Sequence, residues 1–526
     1  MNRREFIRSV GVTFAALATG CSSRQRSGAQ AAGRSLSDSR PNIVFILADD
    51  MAYKDLSAFG QKARQTPNLD RLALGGVRFT QAYAGASMCA PSRAVLMTGM
   101  HLGHCRVRHN ASVRGGQDYI LDEDITVAEV LKGAGYRTAF VGKWGIGLPT
   151  TEGVPHKQGF DLAYGFYDQR RAHGYYPEYL MHNGRKDALP QNRGFNMARI
   201  YEYNRKSLDK MAPETRNRYD ENGRFVPDGV ADPHKAVNSQ DCIHAKALEF
   251  VRENKDRPFF LYYATQIPHG PLVARDLGRF KDAPWDLKHK EWAAMIDHLD
   301  RHVGELVACL ETHGLLDNTI LFFASDNGYE PSYLNNKRYE DDPIFHYKGP
   351  WPGGKFSNRE GGLRVPFFVY WKGRIEPRLS EHVTAFWDFL ATAADLAGVT
   401  PPETDGISIV AELENRPAAQ PKHEYLYWEH DNTRHAQSVR MEQWHAFRPH
   451  PDKPMELYDI VNDPECSSNK AAERPDVVEK IARIMKEAHT PSRWYINPGE
   501  SPESIEAKKQ RAKLHPMPQG RRANSI

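Results

Sequence analysis

Asn42-Ile43-Val44-Phe45-Ile46-Leu47-Ala48, followed at once by Asp49-Asp50, is an unbroken apolar run that stops at two carboxylates. A strand with one wet face alternates apolar and polar residues. A strand covered on both faces reads as a continuous apolar run, as in parallel sheets packed between helices. The pattern recurs downstream. Thr138-Ala139-Phe140-Val141 runs into Gly142-Lys143, and Phe259-Phe260-Leu261-Tyr262-Tyr263, within 258–264, leads toward His269. Thr319-Ile320-Leu321-Phe322-Phe323-Ala324 leads to Asp326-Asn327, and 365–371 reads as a further strand. Helical periods lie between and beyond these strands, at 125–135, 240–254, 290–313 and 385–397. This alternation predicts an α/β fold with a large, mostly parallel sheet flanked by helices. Open α/β sheets place their sites outside the carboxyl ends of strands. Four strands here deliver polar residues at that end, which predicts one common site.

The character changes near residue 401. Short strands at 426–428, 444–447 and 456–459 and a helical period at 475–488 predict a smaller C-terminal α+β domain. We divide the chain into an export signal (1–21), a flexible Ser/Gly/Ala/Arg-rich tether (22–40), an α/β domain (41–400), an α+β subdomain (401–490) and an extended, polar, Pro-rich tail (491–526). Residues 164–232 lack long apolar runs and read as insertion loops over the sheet.

The N-terminus reads as targeting sequence, not structure. Arg3-Arg4-Glu5-Phe6-Ile7 resembles a twin-arginine motif, and 10–18 is a short apolar core. Ala18-Thr19-Gly20-Cys21 has two readings: a lipobox that makes Cys21 a lipid anchor, or an ordinary signal peptide with an incidental cysteine. Either predicts an exported protein, periplasmic or membrane-anchored. A net charge of +4 over 526 residues, with no basic stripe, gives no footprint for nucleic acid. The mean hydropathy is −0.64, and no apolar run reaches the roughly 18 residues that span a bilayer. Of the six cysteines, Cys105, Cys242, Cys309 and Cys466 fit no zinc spacing. An exported chain can pair two of them, and the sequence leaves the connectivity open.

The most informative motif is Cys89-Ala90-Pro91-Ser92-Arg93-Ala94-Val95-Leu96-Met97-Thr98-Gly99. It sets a cysteine ahead of a Pro-Ser-Arg turn and a short helix over 94–98. A lone cysteine in such a place is ordinarily a small buried hydrophobe. Beside Arg93 and a helix N-terminus it also sits in a field that favours an anion, so the residues alone suggest a reactive thiolate.

The pattern C-x-P-S-R-x-x-x-x-T-G resembles that of the type I formylglycine-dependent sulfatases of the alkaline phosphatase superfamily. The likeness extends over 41–488 and includes Glu456-Leu457-Tyr458-Asp459 and Asp463-Pro464-Glu465. The resemblance implies that a formylglycine-generating maturation enzyme oxidises Cys89 to formylglycine, whose hydrate attacks sulfur. It implies that Arg93 holds and polarises the diol, that Lys143 and Lys355 bind sulfate, and that His269 protonates the leaving alcohol. Lys355 lies in Gly353-Gly354-Lys355, and Glu360-Gly361-Gly362-Leu363-Arg364-Val365-Pro366 follows, as in E-G-G-x-R-V-P. Asp49, Asp50, Asp326 and Asn327, with an oxygen of residue 89, would hold Ca²⁺. Calcium is favoured over Mg²⁺ because protein oxygens supply most of the shell. Taken singly, Asp-Asp and Asp-Asn-Gly read equally well as turns after strands.

One departure stands out. Many sulfatases read Gly-Lys-Trp-His-x-Gly, whereas this chain reads Gly142-Lys143-Trp144-Gly145-Ile146-Gly147. His104 is the candidate substitute for the missing histidine. His173, Tyr175 and Tyr176, in His-Gly-Tyr-Tyr-Pro, are candidates for lining a substrate cleft, with ordinary loop packing as the other reading. The expected function is an exported, calcium-dependent sulfatase acting on a sulfated carbohydrate, with galactose or N-acetylgalactosamine suggested by the branch. The alternatives are a phosphonate monoester hydrolase or phosphodiesterase of the same superfamily, and a sulfated-glycan-binding pseudoenzyme suggested by Gly145. A cysteine hydrolase has no visible Cys-His-Asn arrangement to support it.

Overall fold

A computed structural model describes residues 35–111, 116–195, 218–334, 340–430, 435–497 and 499–514. The export signal, Cys21 and residues 22–34 of the tether lie outside them. The strands are β1 (Asn42–Ala48), β2 (Val77–Phe79), β3 (Ala82–Tyr83), β4 (Arg137–Lys143), β5 (Leu162–Phe166), β6 (Tyr179–His182), β7 (Arg185–Ala188), β8 (Phe259–Ala264), β9 (Thr319–Ser325), β10 (Phe367–Tyr370), β11 (Arg378–Ser380), β12 (Thr384–Ala385), β13 (Leu426–His430), β14 (Ala436–Met441), β15 (Trp444–Arg448) and β16 (Glu456–Asp459). The longer helices are α1 (Pro67–Leu74), α2 (Cys89–Thr98), α3 (Val127–Gly133), α4 (Ser239–Glu253), α5 (Leu287–Thr312), α6 (Asp388–Leu396), α7 (Pro475–Glu487) and α8 (Pro502–Leu514).

Ten strands form one sheet in the order β11-β2-β10-β9-β1-β8-β4-β5-β6-β7. Its centre, β9-β1-β8-β4-β5, is parallel. β10 joins antiparallel to β9, and the β6–β7 hairpin extends the other edge. The apolar run of β1 follows from its burial on both faces. Ile43, Phe45 and Leu47 enter the layer of α2, α3 and α6, while Val44, Ile46 and Ala48 enter that of α1, α4 and α5. Register aligns the carboxyl ends: Ala48 pairs with Ser325, Leu47 with Ala264, and Gly142 with Ala264. A second, antiparallel sheet, β13-β14-β15-β16, is covered by α7 on one face. On its other face Trp428 donates to the Ala84 carbonyl at 3.0 Å.

The end of the expected flexible tether is folded, with a 3-10 helix at Leu36–Ser39 and Leu36 buried, and the structure differs from the sequence reading in three further places. First, α2 begins at Cys89, not at 94. Pro91 is tolerated in the first turn because amides there have no intrahelical acceptor. Second, part of 164–232 is sheet: β5 ends there, and β6 and β7 form a hairpin. β7, Arg-Lys-Asp-Ala, is exposed throughout, so it carries no apolar signal. Third, the tail expected to be extended holds α8 and two buried aromatics, Trp494 and Tyr495. The Arg511 guanidinium covers the Trp494 ring at 3.9 Å, and Lys508 donates to the Ser492 and Tyr495 carbonyls. A polar composition hid these two anchors.

The Tyr495 hydroxyl accepts the main-chain N–H of Arg108 (3.2 Å) and of His109 (3.0 Å). Tyr495→Phe leaves both donors short of that acceptor. We expect a loss of about 1–3 kcal/mol, read as a lower urea midpoint at unchanged m-value.

Candidate functional site

Four strands deliver the site. Asp49 and Asp50 follow β1, Asp326 and Asn327 follow β9, Lys143 ends β4, and His269 lies five residues past β8. Cys89 and Arg93 face this point from the first turns of α2. Lys355 arrives on the loop that closes at the helical turn Glu360–Leu363. That loop folds tightly: a Cβ on Gly362 would lie 2.1 Å from the Ser357 carbonyl. Glu360 is a scaffold residue, bonded to Arg364, Tyr83 and His445. Every site residue named here, Asp49 through Lys355, is at most 6 % exposed.

The charges pair closely. Lys143 Nζ is 2.6 Å from Asp49 Oδ2, and Lys355 Nζ is 2.6 Å from Asp50 Oδ2. Arg93 donates through Nε (3.0 Å) and Nη2 (2.9 Å) to Asp326 Oδ2, and through Nη1 to the Lys143 carbonyl at 2.5 Å. Burial raises the Asp326 carboxyl and adjacent Asp49 raises it further, to about 6 despite Arg93. Burial would raise Asp50 too, but Lys355 and His269 outweigh it and hold that carboxyl well below the usual range.

Cys89 Sγ lies 3.4 Å from Asp49 Oδ1. Burial, then Asp326, pushes its thiol far above the ordinary value. The local argument for a thiolate from Arg93 and the helix N-terminus is thus opposed here: Arg93 is committed to Asp326, and two carboxylates disfavour a third anion.

His269 Nδ1 bonds the Gly270 carbonyl, which can only accept, so Nδ1 carries the hydrogen. Its Nε2 faces the site, 3.3 Å from Lys355 Nζ and 3.4 Å from Asp50 Oδ2. Burial, with the ammonium groups of Lys355 and Lys143, holds the imidazole well below its ordinary value.

The residues present fit a hard divalent cation. Asp49, Asp50, Cys89 and His269 each offer a ligand atom, all within 4.8 Å of one another. Asn327 Nδ2 is committed to Asp50 Oδ1 at 2.7 Å, while Asn327 Oδ1 is buried with no hydrogen-bond partner. An orphaned carbonyl oxygen beside three carboxylates is a donor suited to a cation.

The remaining candidates separate. His104 pairs with Asp405 at 2.9 Å and stacks on His101 beyond the C-terminal end of α2. Cys89 begins that ten-residue helix, about 15 Å away along its axis, so His104 does not stand in for the missing histidine. His173 does reach the site. Its ring stacks on His269 with centroids 4.0 Å apart, and its Nε2 is buried without a partner. Tyr175 and Tyr176 are buried, against the expectation that they line a cleft. The Tyr175 hydroxyl reaches the carbonyls of Gln266 (2.9 Å) and His269 (2.7 Å), and Tyr176 stacks on Phe225. Tyr175 braces the His269 loop, and Tyr176 packs in the adjacent aromatic cluster with Phe195 and Phe225.

Gly145 has φ +80°, and a Cβ there would lie 2.6 Å from Gln169 Oε1. The buried Gln169 carboxamide, with no partner for either amide atom, fills the space of a longer side chain at 145. The sequence reading missed Gln169. It also missed Tyr333, whose hydroxyl donates to Asp50 Oδ2 at 2.7 Å, and Asn110, which accepts the Ala90 N–H at 2.9 Å. None of the three carries a local sequence signal. Among the described residues the five cysteines are all unpaired.

The Sulfatase family model matches residues 41–399, and a model for the C-terminal region of N-sulphoglucosamine sulphohydrolase matches 354–491. The N-acetylgalactosamine-6-O-sulfatase of Bacteroides thetaiotaomicron is 30% identical over 521 residues, 90% of this chain and 97% of that protein. The crystal structure of Ps i-CgsB in complex with k-i-k-neocarrahexaose superposes with a TM-score of 0.68 at 27% identity, covering 90% of this chain and 98% of that one. The phosphonate monoester hydrolase of Agrobacterium radiobacter, at 20% identity and a TM-score of 0.58 over 85% of this chain and 95% of that one, shares the fold alone. With one family model spanning most of the α/β domain and a relative aligned almost end to end, the chain belongs to the sulfatase family and is a sulfuric ester hydrolase.

Proposed function

We propose that this protein is an exported, formylglycine- and calcium-dependent sulfatase that removes sulfate from a sulfated carbohydrate, with a galactose or N-acetylgalactosamine unit the first to try. One observation carries the reading: Cys89, three carboxylates, the orphaned Asn327 oxygen and the Lys143, Lys355 and His269 nitrogens share one buried site. The N-acetylgalactosamine-6-O-sulfatase relative and the neocarrahexaose-bound Ps i-CgsB support a carbohydrate substrate. The twin-arginine-like N-terminus supports export, and no helix among the described residues is long and apolar enough to cross a membrane.

In this reading Asp49, Asp50, Asp326 and Asn327, with an oxygen of residue 89, would hold the cation. Bound there, calcium supplies positive charge that offsets the three carboxylates and the anionic ester. With that charge in place, Lys143 and Lys355, which pair with Asp49 and Asp50 in this structure, would be free to bind the sulfate oxygens. Burial pushes the unmodified Cys89 thiol up and disfavours its anion, so this reading assigns the nucleophile to formylglycine derived from Cys89. One hydroxyl of the hydrated aldehyde forms a bond to sulfur as the S–O bond to the alcohol breaks. The proton of the attacking hydroxyl passes to His269 Nε2, which is free to accept it, and from there to the leaving alcohol oxygen as the S–O bond breaks. The second hydroxyl then gives its proton to the again neutral His269 Nε2, which passes it to solvent, while the aldehyde re-forms and the C–O bond to sulfate breaks. Water rehydrates the aldehyde. Arg93, fixed by Asp326, orients residue 89 throughout.

The deciding experiment measures sulfate release from a panel of sulfated sugars and an aryl sulfate with calcium, beside a phosphonate ester. Peptide mass establishes the state of residue 89. We expect sulfate release, and Cys89→Ala to reduce it by about 10³-fold or more. Phosphonate turnover alone would transfer the protein to the hydrolase branch. Silence on every ester with residue 89 already converted would sink the enzyme reading.

A calcium requirement predicts that chelation abolishes turnover and that calcium restores it. Asn327→Ala removes a single neutral ligand, so its apparent calcium affinity should fall about tenfold. Calcium titration of activity and of thermal midpoint would read this directly.

A further inference from the structure

Asp241, His298 and His302 converge between α4 and α5 in an arrangement that the sulfatase reading does not use. His298 and His302 are one turn apart on α5, so their rings leave the same helix face. Asp241 comes from the first turn of α4. The two Nε2 atoms approach a single oxygen, Asp241 Oδ1, at 2.9 Å and 3.5 Å. All three donor atoms lie within 4.8 Å of one another. Donors set tetrahedrally at zinc bond lengths of about 2.0–2.1 Å stand about 3.3–3.4 Å apart, and the two measured separations bracket that value.

The surroundings suit such a site. Tyr263 Oη is 3.4 Å from His302 Nδ1, which orients the ring with Nε2 forward. His244 lies flat on His302 at 4.0 Å and bonds Glu305 at 2.9 Å. Both candidate imidazoles are buried, whereas the Asp241 side chain is 32% exposed and leaves a fourth position toward solvent. Among the described residues Arg275 competes, 3.2 Å from the same oxygen. It is 41% exposed and has Asp276 at 3.8 Å to turn to. Two imidazoles and one carboxylate select a borderline transition ion over calcium.

We propose that Asp241, His298 and His302 form a zinc site, separate from the sulfatase centre, that ties α4 to α5. Ser239 and Gln240, just ahead of Asp241, bond the Gln266 carboxamide in the loop that ends at His269. A clamp here therefore stiffens the base of that loop.

The test titrates zinc chloride, against a chromophoric chelator, into full-length protein stripped of metal and reloaded with calcium. We expect one tightly bound equivalent per chain, a raised thermal midpoint, and a zinc absorption edge with two imidazole nitrogens and oxygen donors. Cys89→Ala and His104→Ala should keep that equivalent. His298→Gln and His302→Gln should each weaken it by about 100-fold while retaining the far-ultraviolet spectrum of the parent. Three results would overturn the proposal: no zinc bound by the parent at roughly 100 µM, undiminished binding by folded His298→Gln, or loss of the equivalent on His104→Ala or Cys89→Ala. The absorption edge of the parent decides the ligands even if the glutamine variants do not fold.

Discussion

Three carboxylates and three cations are withdrawn from water at one point, and each makes the burial of the others tolerable. An isolated buried ion costs several kcal/mol, whereas one that is paired and hydrogen-bonded recovers most of that cost. Asp49 has Lys143, Asp50 has Lys355, and Asp326 has Arg93. The pairs join elements far apart in the chain: β1 with β4, β1 with the loop ahead of Glu360, and α2 with β9. Much of the architecture serves this constraint. The parallel register brings the carboxyl ends of β9, β1, β8 and β4 level, and the glycines of the 353–362 loop let Lys355 fold back over them. The same balance bears on the proposed chemistry. A cation that takes over the neutralisation of Asp49 and Asp50 frees two ammonium groups at the place where an anionic ester must sit.

What the sequence made legible follows from this geometry. The central strands, buried on both faces, announce themselves as apolar runs, and β1 is found residue for residue. Their polar termini announce the site. Elements that make no apolar run are silent, whether exposed or buried. β7 is exposed along its whole length, and β14, Ala-Gln-Ser-Val-Arg-Met, hides its apolar members among polar ones that pair across the small sheet. Helix α8 has little amphipathic period, and Trp494 and Tyr495 precede it in a polar stretch. Long-range effects are equally hidden. Arg93, four residues from Cys89, argues locally for a thiolate. Asp326, more than two hundred residues away in sequence, reverses that argument, and no local window contains it.

The substitution at Gly145 shows both the reach and the limit of reading from a family pattern. The pattern says a histidine is missing, and proximity in sequence made His104 the natural substitute. The helix between them decides otherwise, because α2 carries Cys89 at one end and directs His104 away from the other. The vacated volume is filled by Gln169, drawn from the loop after β5. A second imidazole, His173, reaches the centre by stacking on His269. Both come from the segment read as insertion loops. Long loops over a sheet commonly carry function, but which of their side chains enter the site is set by packing that the sequence alone does not show.

The C-terminal layers are part of the same construction. Arg108 forms a buried ion pair with Glu429 of β13, and its main-chain N–H is held by Tyr495 from the tail. Two residues later Asn110 accepts the amide of Ala90, next to Cys89 at the start of α2. That amide is one of the first-turn donors that a helix cannot satisfy internally, and Met88 supplies no side-chain cap. The turn that presents residue 89 is thus completed by a loop whose own position is fixed by the small sheet and the tail. His445 of β15 bonds Glu360 at 3.0 Å and steadies the turn that follows Lys355. The second sheet therefore contacts the supports of Cys89 and of Lys355. A chain ending with the large sheet would keep the charges but lose two of the frames that aim them.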